Sequence, residues 1–351
     1  MLPVARDVSK VRWCEHLAED ATLAEQFQPQ FQRTLVSHVK ITGKEPYGGC
    51  EVNVVFYPAV ADTGVVFVNG DYAHVPVFPS HQQLTPKNLE NLLTVRASLP
   101  HARAAYSSIM LVDGPMKIVG VEHLLATLYA MGIDNVVVDV SRVTPPRHWL
   151  QDFGIQTMAV LPLFPDRELS YINALLSTGV RIIDGAYRKR VSAGYDIHDE
   201  DMTLDKYLFI NYHEGSGLVI EAKTQYPELG TQEVRVPITP LSYLTELAEA
   251  RPYAKHLLPW MPRWITEKAA SLANLRFGYG HGFSEENLIL PNNGWTEQLR
   301  YPDEIARHTI VDRLGALALL GVRFDHVGVQ TYRSGHQHDL DFLRRHQHEF
   351  V

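Results

Sequence analysis

The spacing of apolar residues changes period along the chain. In the first part, apolar and polar residues alternate, which predicts antiparallel strands separated by Gly, Pro and Asp turns at 33–42, 50–58 and 63–68. An i, i+3, i+4, i+7 pattern then predicts an amphipathic helix that ends near Gly132 and is formed around Val121, Leu124, Leu125 and Leu128. The apolar run 135–140 follows it and predicts a buried strand.

A second cycle of the same kind begins near residue 165. Strands are predicted at 178–183, 206–212, 217–224, 233–238, 286–291 and 325–332. Helices are predicted at 242–250, 263–275, 303–320 and from about 338. Strands followed by helices, twice over, indicate an α+β protein of two similar sheet-and-helix layered domains. We expect an N-terminal extension at 1–30, a first domain at 31–164 and a second at 165–351.

Composition narrows the classes of protein to consider. Of 351 residues, 45% are hydrophobic and 21% charged, which is enough apolar material for a sizeable core. The net charge of -8 argues against a nucleic-acid or anionic-membrane surface as the main role. We find neither a secretory signal pattern nor an apolar run of spanning length, so a cytoplasmic protein is expected, with a monomer favoured. Two cysteines exclude a disulfide scaffold, whereas 17 histidines direct attention to imidazole chemistry.

One candidate site lies on the predicted helix 303–320. His308 and Asp312 stand at i and i+4, so both project from one face about a turn apart. An imidazole and a carboxylate at this spacing suit a zinc-like divalent ion. Gly315 and Ala316 continue the face with almost no side chain and are expected to leave space beside it. The alternative is a hydrogen-bonded pair on the helix surface.

Two further elements carry candidate residues. Glu122 and His123 are adjacent near a helix start, outside the apolar stripe, and could supply a base and a metal ligand; alternatively, they are ordinary polar residues. His336 follows a predicted strand and Gly335, as a loop general acid or base would, or as a simple turn histidine would. The H-E-x-x-H, P-loop, G-x-S-x-G and C-x-x-C motifs are absent from the sequence.

The order of these segments resembles a known family. GVEHLLATLYAMGIDNVVVDV (120–140), YPELGTQEVRVPIT (226–239), RHTIVDRLGALALLG (307–321) and SGH (334–336) together resemble the LpxC family. These are zinc-dependent UDP-3-O-acyl-N-acetylglucosamine deacetylases of lipid A biosynthesis, and the resemblance extends from about residue 33 to about 345. It implies a duplicated α+β sandwich with the active site at the interface of its two halves.

The resemblance also implies roles for individual residues. His123, His308 and Asp312 would bind Zn²⁺, or alternatively Fe²⁺. Glu122 would be the general base and His336 the general acid. Three protein ligands leave a fourth position open, as a catalytic zinc site requires.

The chain departs from the family pattern at several positions. Thr309 stands where the family has Lys, and Ala316 where it has an Asp that pairs with the acid histidine. The family's Arg-Thr-Phe reads Arg251-Pro252-Tyr253, and proline offers neither a hydroxyl nor an N–H to an oxyanion. Residues 147–156 stand where the family has a Pro-x-x-Asp-Gly-Ser-Ala segment and match that segment only weakly. Arg251, Tyr253 and Thr309 remain candidate substrate contacts.

Two functional hypotheses follow. The first is a metal-dependent N-deacetylase that hydrolyses the amide of an N-acetylated amino sugar or its nucleotide conjugate, acylated or not. The second is a catalytically weak paralogue that binds a carbohydrate or acyl ligand without efficient turnover. The apolar segment 252–272 falls where the family places an insert that guides the acyl chain, and it could line such a passage or pack as core.

Overall fold

The computed structural model describes residues 30–46, 50–71, 79–105, 107–143, 158–194, 196–198, 206–226, 229–255, 288–290 and 298–350. Several predictions concern residues outside these ranges. They are the N-terminal extension 1–30, of which only residue 30 is described, the departure from the family pattern at 147–156, the helix at 263–275 and most of the apolar segment 252–272.

The described segments are rich in strands. In the first half these are β1 (Phe31–Leu35), β2 (Val39–Lys44), β3 (Glu51–Pro58), β4 (Val65–Asn69), β5 (Thr94–Arg96), β6 (Ala102–Ala105), β7 (Ser108–Asp113), β8 (Met116–Val119), β9 (Val136–Arg142) and β10 (Met158–Val160). In the second half they are β11 (Val180–Tyr187), β12 (Arg190–Val191), β13 (Ile197–His198), β14 (Tyr207–Tyr212), β15 (Leu218–Tyr226), β16 (Gly230–Pro237), β17 (Tyr253–Lys255), β18 (Leu288–Leu290), β19 (Arg323–Phe324) and β20 (Val327–Tyr332).

Helices are fewer in the described residues. They are α1 (Pro86–Leu89), α2 (Glu122–Ala130), α3 (Glu168–Thr178), α4 (Pro240–Ser242), α5 (Glu304–Ala318) and α6 (His336–His346). A π-helical turn, Tyr243–Leu247, continues α4, and a 3₁₀ turn, Gln347–Glu349, follows α6. The chain is therefore α+β, as its sequence predicts.

Two five-stranded sheets have the same plan. The strand order is β2-β3-β9-β4-β5 in the first and β13-β14-β20-β15-β16 in the second. All neighbours are antiparallel except β4 with β9 and β15 with β20, which are parallel. In each sheet the central strand comes soon after a helix, α2 for β9 and α5 for β20. The boundary between 164 and 165 stays a prediction; β1, on one side of it, pairs with β11 on the other.

The alternation predicted for the strands is visible in β3, where Val52, Val54 and Phe56 are fully buried and the residues between them are less so. This is the period of two that a strand with one face on the core must have. Most buried apolar residues of both sheets, α2 and α5 form one continuous core, while Val66, Val68 and Val137 of the first sheet pack in a second, smaller cluster. The two helices thus lie inside the molecule.

Some predicted boundaries are wrong. The run 33–42 is divided into β1 and β2 by residues 36–38, and the helix predicted at 242–250 is the short α4 with its π turn. The terminal helix begins at His336, two residues earlier than predicted. His336 is therefore the first residue of a helix and not a loop residue.

The prediction of open space beside Gly315 is also wrong. A Cβ built on Gly315 would lie 2.2 Å from the backbone oxygen of Glu122. Because real Cβ contacts are never this short, α2 and α5 meet at this point with their backbones in contact, which only glycine permits. The small residue therefore brings the two helices together.

Candidate metal and active site

The start of α2 brings Glu122 and His123 into the interior. The two residues are 0% and 3% exposed, respectively, although both lie outside the apolar stripe of the helix. They are buried because α2 has neighbours on several sides: α5 crosses it at Gly315, and α3 begins with Glu168, which contacts His123. A stripe of apolar residues shows one buried face and gives no information about a second one.

Helix α5 supplies the other two candidate ligands. His308 and Asp312 share a face, and Nε2 of His308 lies 3.4 Å from Oδ1 of Asp312. Nε2 of His123 lies 4.0 Å from the same oxygen. One ligand atom from each of the three residues lies within 4.8 Å of the others. The structure therefore brings together, from α2 and α5, the three residues for which the sequence suggests metal binding.

The remaining ring nitrogens have partners of their own. Nδ1 of His123 is 2.6 Å from Oε1 of Glu168, and Nδ1 of His308 is 3.3 Å from the carbonyl oxygen of Ala250. Both partners are acceptors, so each Nδ1 carries the proton and donates it. Each Nε2 is then directed to the centre of the cluster formed by His123, His308 and Asp312, as in histidines that ligate metals.

Burial and charge set the protonation of the cluster. Burial lowers the pKa of His308 to about 4, despite the neighbouring carboxylate of Asp312. Burial alone would raise the pKa of Asp312, but His308, His336 and His123 lower it to about 2. For His123, the hydrogen bond and charge of Glu168 outweigh burial and raise the pKa. At neutral pH the cluster thus contains a neutral imidazole and an ionised carboxylate.

These residues fit a divalent metal ion. Two imidazoles and a carboxylate are the ligand types that Zn²⁺ and Fe²⁺ accept. Oδ1 of Asp312 is buried and accepts no hydrogen bond from the residues that the structure describes. A buried anionic oxygen in that situation is costly unless a cation binds it.

Glu122 lies beside the cluster with one oxygen fixed. Its Oε2 accepts a hydrogen bond of 2.8 Å from the backbone N–H of Ile109 in β7, an inner strand of the four-stranded sheet β10-β8-β7-β6. Its Oε1 lies 4.0 Å from Nε2 of His123. The carboxylate is thus held in one orientation, with the second oxygen toward the centre of the cluster.

His336 reaches the site from the end of the chain. Its charge lowers the pKa of Asp312, which places it within electrostatic range of the ligands. Gly335 precedes it as the extended N-cap residue of α6, and the turn itself is made at Arg333, whose φ is +50°. Nδ1 of His336 is buried and has no hydrogen-bond partner among the described residues, consistent with Ala316 at the position where the family has an Asp.

The loop before His336 is anchored by Arg313, the residue after Asp312. Its guanidinium is buried, forms an ion pair with Asp339 and donates a hydrogen bond to the carbonyl oxygen of Ser334. The hydroxyl of Ser334 donates to Asp339 in turn. Asp339 lies in the first turn of α6, so this network connects α5 to the segment that carries His336.

The three candidate substrate contacts differ in their surroundings. Arg251 donates from Nε to Oε1 of Glu304 at 2.8 Å, and Thr309 donates to the carbonyl oxygen of Ile305 at 2.9 Å. Tyr253 hydrogen-bonds through its hydroxyl to Tyr226, and the charge of Asp312 contributes to raising its pKa, after burial. Tyr253 therefore lies within electrostatic range of the cluster.

Sequence reasoning missed Arg167 and Glu168. Both are 2% exposed at the start of α3. The charge of Arg167 lowers the pKa of His123 and of His308, after the larger effects named above. Arg167 also has φ of +58°, in the region that favours glycine. The one local signal is the sequence Pro-Asp-Arg-Glu before a helix, which is typical of any helix start.

The fold and the site together define an α+β protein in which two halves join a His-His-Asp set and a neighbouring carboxylate in one buried cluster. The chain belongs to the LpxC family: a model of this family, described as UDP-3-O-acyl N-acetylglycosamine deacetylase, matches residues 32–347. The resemblance inferred from the sequence is thereby confirmed, and a deacetylase function is supported.

Relatives in several bacteria resemble the chain over most of its length. A protein of Thermodesulfovibrio yellowstonii is 25% identical over 321 residues, covering 90% of this chain and 91% of its own. One of Chromobacterium violaceum is also 25% identical, covering 90% and 89%. A third, of Solibacter usitatus, is 27% identical over 294 residues and covers 83% of each. All three are named UDP-3-O-acyl-N-acetylglucosamine deacetylase.

Within the described residues, none of the helices has the length and apolar character needed to cross a membrane.

Proposed function

We propose that this chain is a zinc-dependent N-deacetylase that hydrolyses the acetamide of an acylated UDP-amino sugar or a related N-acetylated amino sugar. The observation that carries the proposal is the buried cluster itself. Three ligand atoms from α2 and α5 lie within 4.8 Å of one another, with the Glu122 carboxylate next to them. Relatives that cover nine-tenths of the chain are named for this reaction.

His123, His308 and Asp312 would hold the ion. When bound, a divalent ion supplies a Lewis acid that polarises the amide carbonyl and lowers the pKa of a coordinated water. Glu168 and the carbonyl of Ala250 keep the two imidazoles in the tautomer that presents Nε2. The low pKa values of His308 and Asp312 keep both ready to bind a cation at neutral pH.

Glu122 would act as the general base. Its Oε1 accepts a proton from the attacking water as the water oxygen bonds to the carbonyl carbon. The hydrogen bond from Ile109 to Oε2 holds the carboxylate in place while Oε1 accepts that proton. Because the side chain is fully buried, little reorganisation is needed at this step.

His336 would act as the general acid. It donates a proton to the amide nitrogen as the carbon–nitrogen bond breaks, so the products are acetate and the free amine. The network of Arg313, Ser334 and Asp339 would position the turn that precedes it. We retain Tyr253 as a direct substrate contact. Arg251 and Thr309 hydrogen-bond to Glu304 and Ile305, so their effect on the substrate would pass through these partners.

The alternative, a weak binding paralogue, has one observation in its favour. Pro252 replaces the family's oxyanion threonine; it is buried, and its carbonyl accepts a hydrogen bond of 2.8 Å from Leu288. Loss of one oxyanion donor costs about 10²–10³ in kcat. The rate on the lipid A precursor would then be low, as expected of a protein that binds such a ligand without efficient turnover.

Metal content and acetate release test the proposal together. Zinc-loaded protein is offered UDP-3-O-acyl-N-acetylglucosamine, UDP-N-acetylglucosamine and N-acetylglucosamine, with and without chelator. We expect stoichiometric zinc and chelator-sensitive acetate release from at least one substrate. Asp312→Ala should lose zinc and activity, Glu122→Ala should keep zinc and lose activity, and the exposed control Asp113→Ala should keep both. Zinc uptake without acetate release from any of the three would favour the binding paralogue, and full turnover by Glu122→Ala would exclude the base.

A further inference from the structure

A cavity lies at the C-terminal ends of α2 and α5, away from the ligand cluster. Its volume is about 600 Å³, and its lining includes Tyr129 at the end of α2 and the residues 318–320 at the end of α5. None of the candidate ligands, nor Glu122 or His336, contributes to its lining. Leu319 lies seven positions after Asp312, which corresponds to about 10 Å along the helix. The cavity is thus distinct from the site described above.

One wall of the cavity is apolar. It is formed by half-buried side chains that pack against the core, namely Val65, Ala97, Tyr129, Ala318 and Leu320. Both halves of the chain contribute to it. A wall of this kind favours a ligand with an apolar body, because burying that body removes apolar surface from water.

The rim of the cavity carries an excess of positive charge. Its cations are Arg96, Arg188, Lys189 and Arg323, against the two carboxylates of Asp62 and Asp134. Asp134 is shared by two of them, at 2.7 Å from Arg188 and 3.0 Å from Arg323. Burial, and after it the charge of Arg323, lower the pKa of Arg188 to about 10.

Two of the cations have no carboxylate partner in the part of the chain that the structure describes. Arg96 and Lys189 are exposed at the rim and form no ion pair with the described residues. Asp62 accepts a hydrogen bond of 2.7 Å from Gln32, and its contact with Arg96 is a long one of 3.4 Å through the backbone oxygen. An anionic group at the mouth would therefore meet two cations that no other described group neutralises.

We propose that this cavity binds a small organic anion with an apolar chain, such as a medium-chain carboxylate or alkyl phosphate. The chain would lie against the wall of Val65, Ala97 and Ala318, and the anionic group would bind Arg96 and Lys189 at the rim. Charge-assisted hydrogen bonds from a guanidinium and an ammonium suit both carboxylate and phosphate. The proposal does not depend on the deacetylase function, since no residue of that site is involved.

Calorimetric titration of the full chain tests this proposal. Decanoate and decyl phosphate are the probes, each below its micelle concentration, with inorganic phosphate for the head group alone and decyl maltoside for the chain alone. We expect both probes to bind with one-to-one stoichiometry and at least about tenfold more tightly than either control, because head group and chain act together. Equal affinity for decyl maltoside and decyl phosphate would overturn the role of the cations.

Variants locate the binding. Arg96→Glu with Lys189→Glu should weaken binding of both probes by about tenfold or more, whereas Lys40→Glu with Lys87→Glu, which reverses two exposed lysines elsewhere, should not. Ala318→Phe, which fills the cavity from the helix end, should abolish binding; its melting temperature checks that it folds. Asp312→Ala should bind the probes as the wild type does. Unchanged binding in both cavity variants, or loss of binding in Asp312→Ala, would overturn the proposal and indicate binding at the ligand cluster.

Discussion

Nδ1 of His123 lies 2.6 Å from Oε1 of Glu168, and both side chains are buried at the meeting point of α2 and α3. A carboxylate in this position fixes the tautomer of the imidazole and raises its basicity toward a cation. Glu168 itself stays ionised: the hydrogen bond and charge of His123 lower its pKa despite burial. The pair therefore prepares Nε2 of His123 as a ligand before any ion binds.

Replacing Glu168 should weaken metal binding. We expect Glu168→Ala to lower zinc affinity by about 10–100-fold and Glu168→Gln, which keeps an acceptor oxygen, to lower it less. Competition with a chromophoric zinc chelator measures both. Glu304→Gln alters another fully buried carboxylate, which binds Arg251, and should reduce stability without this loss of affinity. Wild-type zinc affinity in Glu168→Ala would show that the pair has no such role.

A methyl group at Gly315 should separate α2 from α5. The new Cβ would lie 2.2 Å from the oxygen and 2.7 Å from the Cα of Glu122, and backbone atoms cannot rotate away. Overpacking of this kind costs about 1–3 kcal/mol of unfolding free energy, and the shift of Glu122 should reduce kcat as well. Gly194→Ala is the matched control, since it is exposed and has nothing within 4 Å of its Cβ. Chemical denaturation should show a loss in Gly315→Ala alone; equal stability of the two variants would contradict the close approach of the helices.

The stability of the metal-free protein should fall in mild acid because of His308. Burial lowers its folded-state pKa from 6.5 to about 4, so the unfolded chain takes up a proton that the folded chain does not. The contribution of His308 to the free energy of unfolding is fully present above pH 6.5. It decreases by about 3 kcal/mol as the pH falls to about 4. Asp312 adds a further loss only below pH 3.8, toward its folded pKa of about 2.

Melting temperatures between pH 4 and pH 7 check this. The opposite contribution of His123, whose raised pKa favours the folded state below pH 6.5, is common to wild type and variant. We therefore expect His308→Gln to have a smaller decrease in melting temperature across this interval than the wild type. Parallel curves for the two proteins would mean that His308 is not buried as a neutral imidazole.

Loosening the turn before His336 should slow turnover and spare the metal. Arg313→Lys keeps the charge but cannot bind both Asp339 and the carbonyl of Ser334 in the same way. If His336 is displaced by about 1 Å, kcat should fall by up to about 10²-fold, with zinc content unchanged. Arg307→Lys, on the same helix and paired with Asp303 and Glu246, should leave kcat near the wild-type value. If the two variants have equal kcat, the network of Arg313, Ser334 and Asp339 does not contribute to catalysis.

Much of the fold follows from periodicity, because a strand or helix with one face on the core must repeat every 2 or 3.6 residues. Helix α2, strand β3 and the i, i+4 pair of His308 and Asp312 could be predicted in this way. Their assembly could not: Glu168 is 45 residues from His123, and the contact depends on how α3 packs. Similarly, the sequence does not show what Gly315 does, because a missing side chain can mean either empty space or a close approach of two backbones.

Restoring an oxyanion donor should accelerate the reaction. Pro252→Thr supplies both a hydroxyl and an N–H where the chain has neither, and the residue is buried beside Tyr253. Since removal of one such donor costs about 10²–10³ in kcat, we expect kcat for acetate release to rise by up to about 10²-fold at unchanged zinc content. Pro252→Ala supplies the N–H alone and separates its effect from that of the hydroxyl. Pro100→Thr, in an exposed turn, controls for the loss of a proline. If Pro252→Thr is no faster than Pro252→Ala, the hydroxyl is not what limits the rate, and the altered substrate becomes the better explanation of the departures from the family.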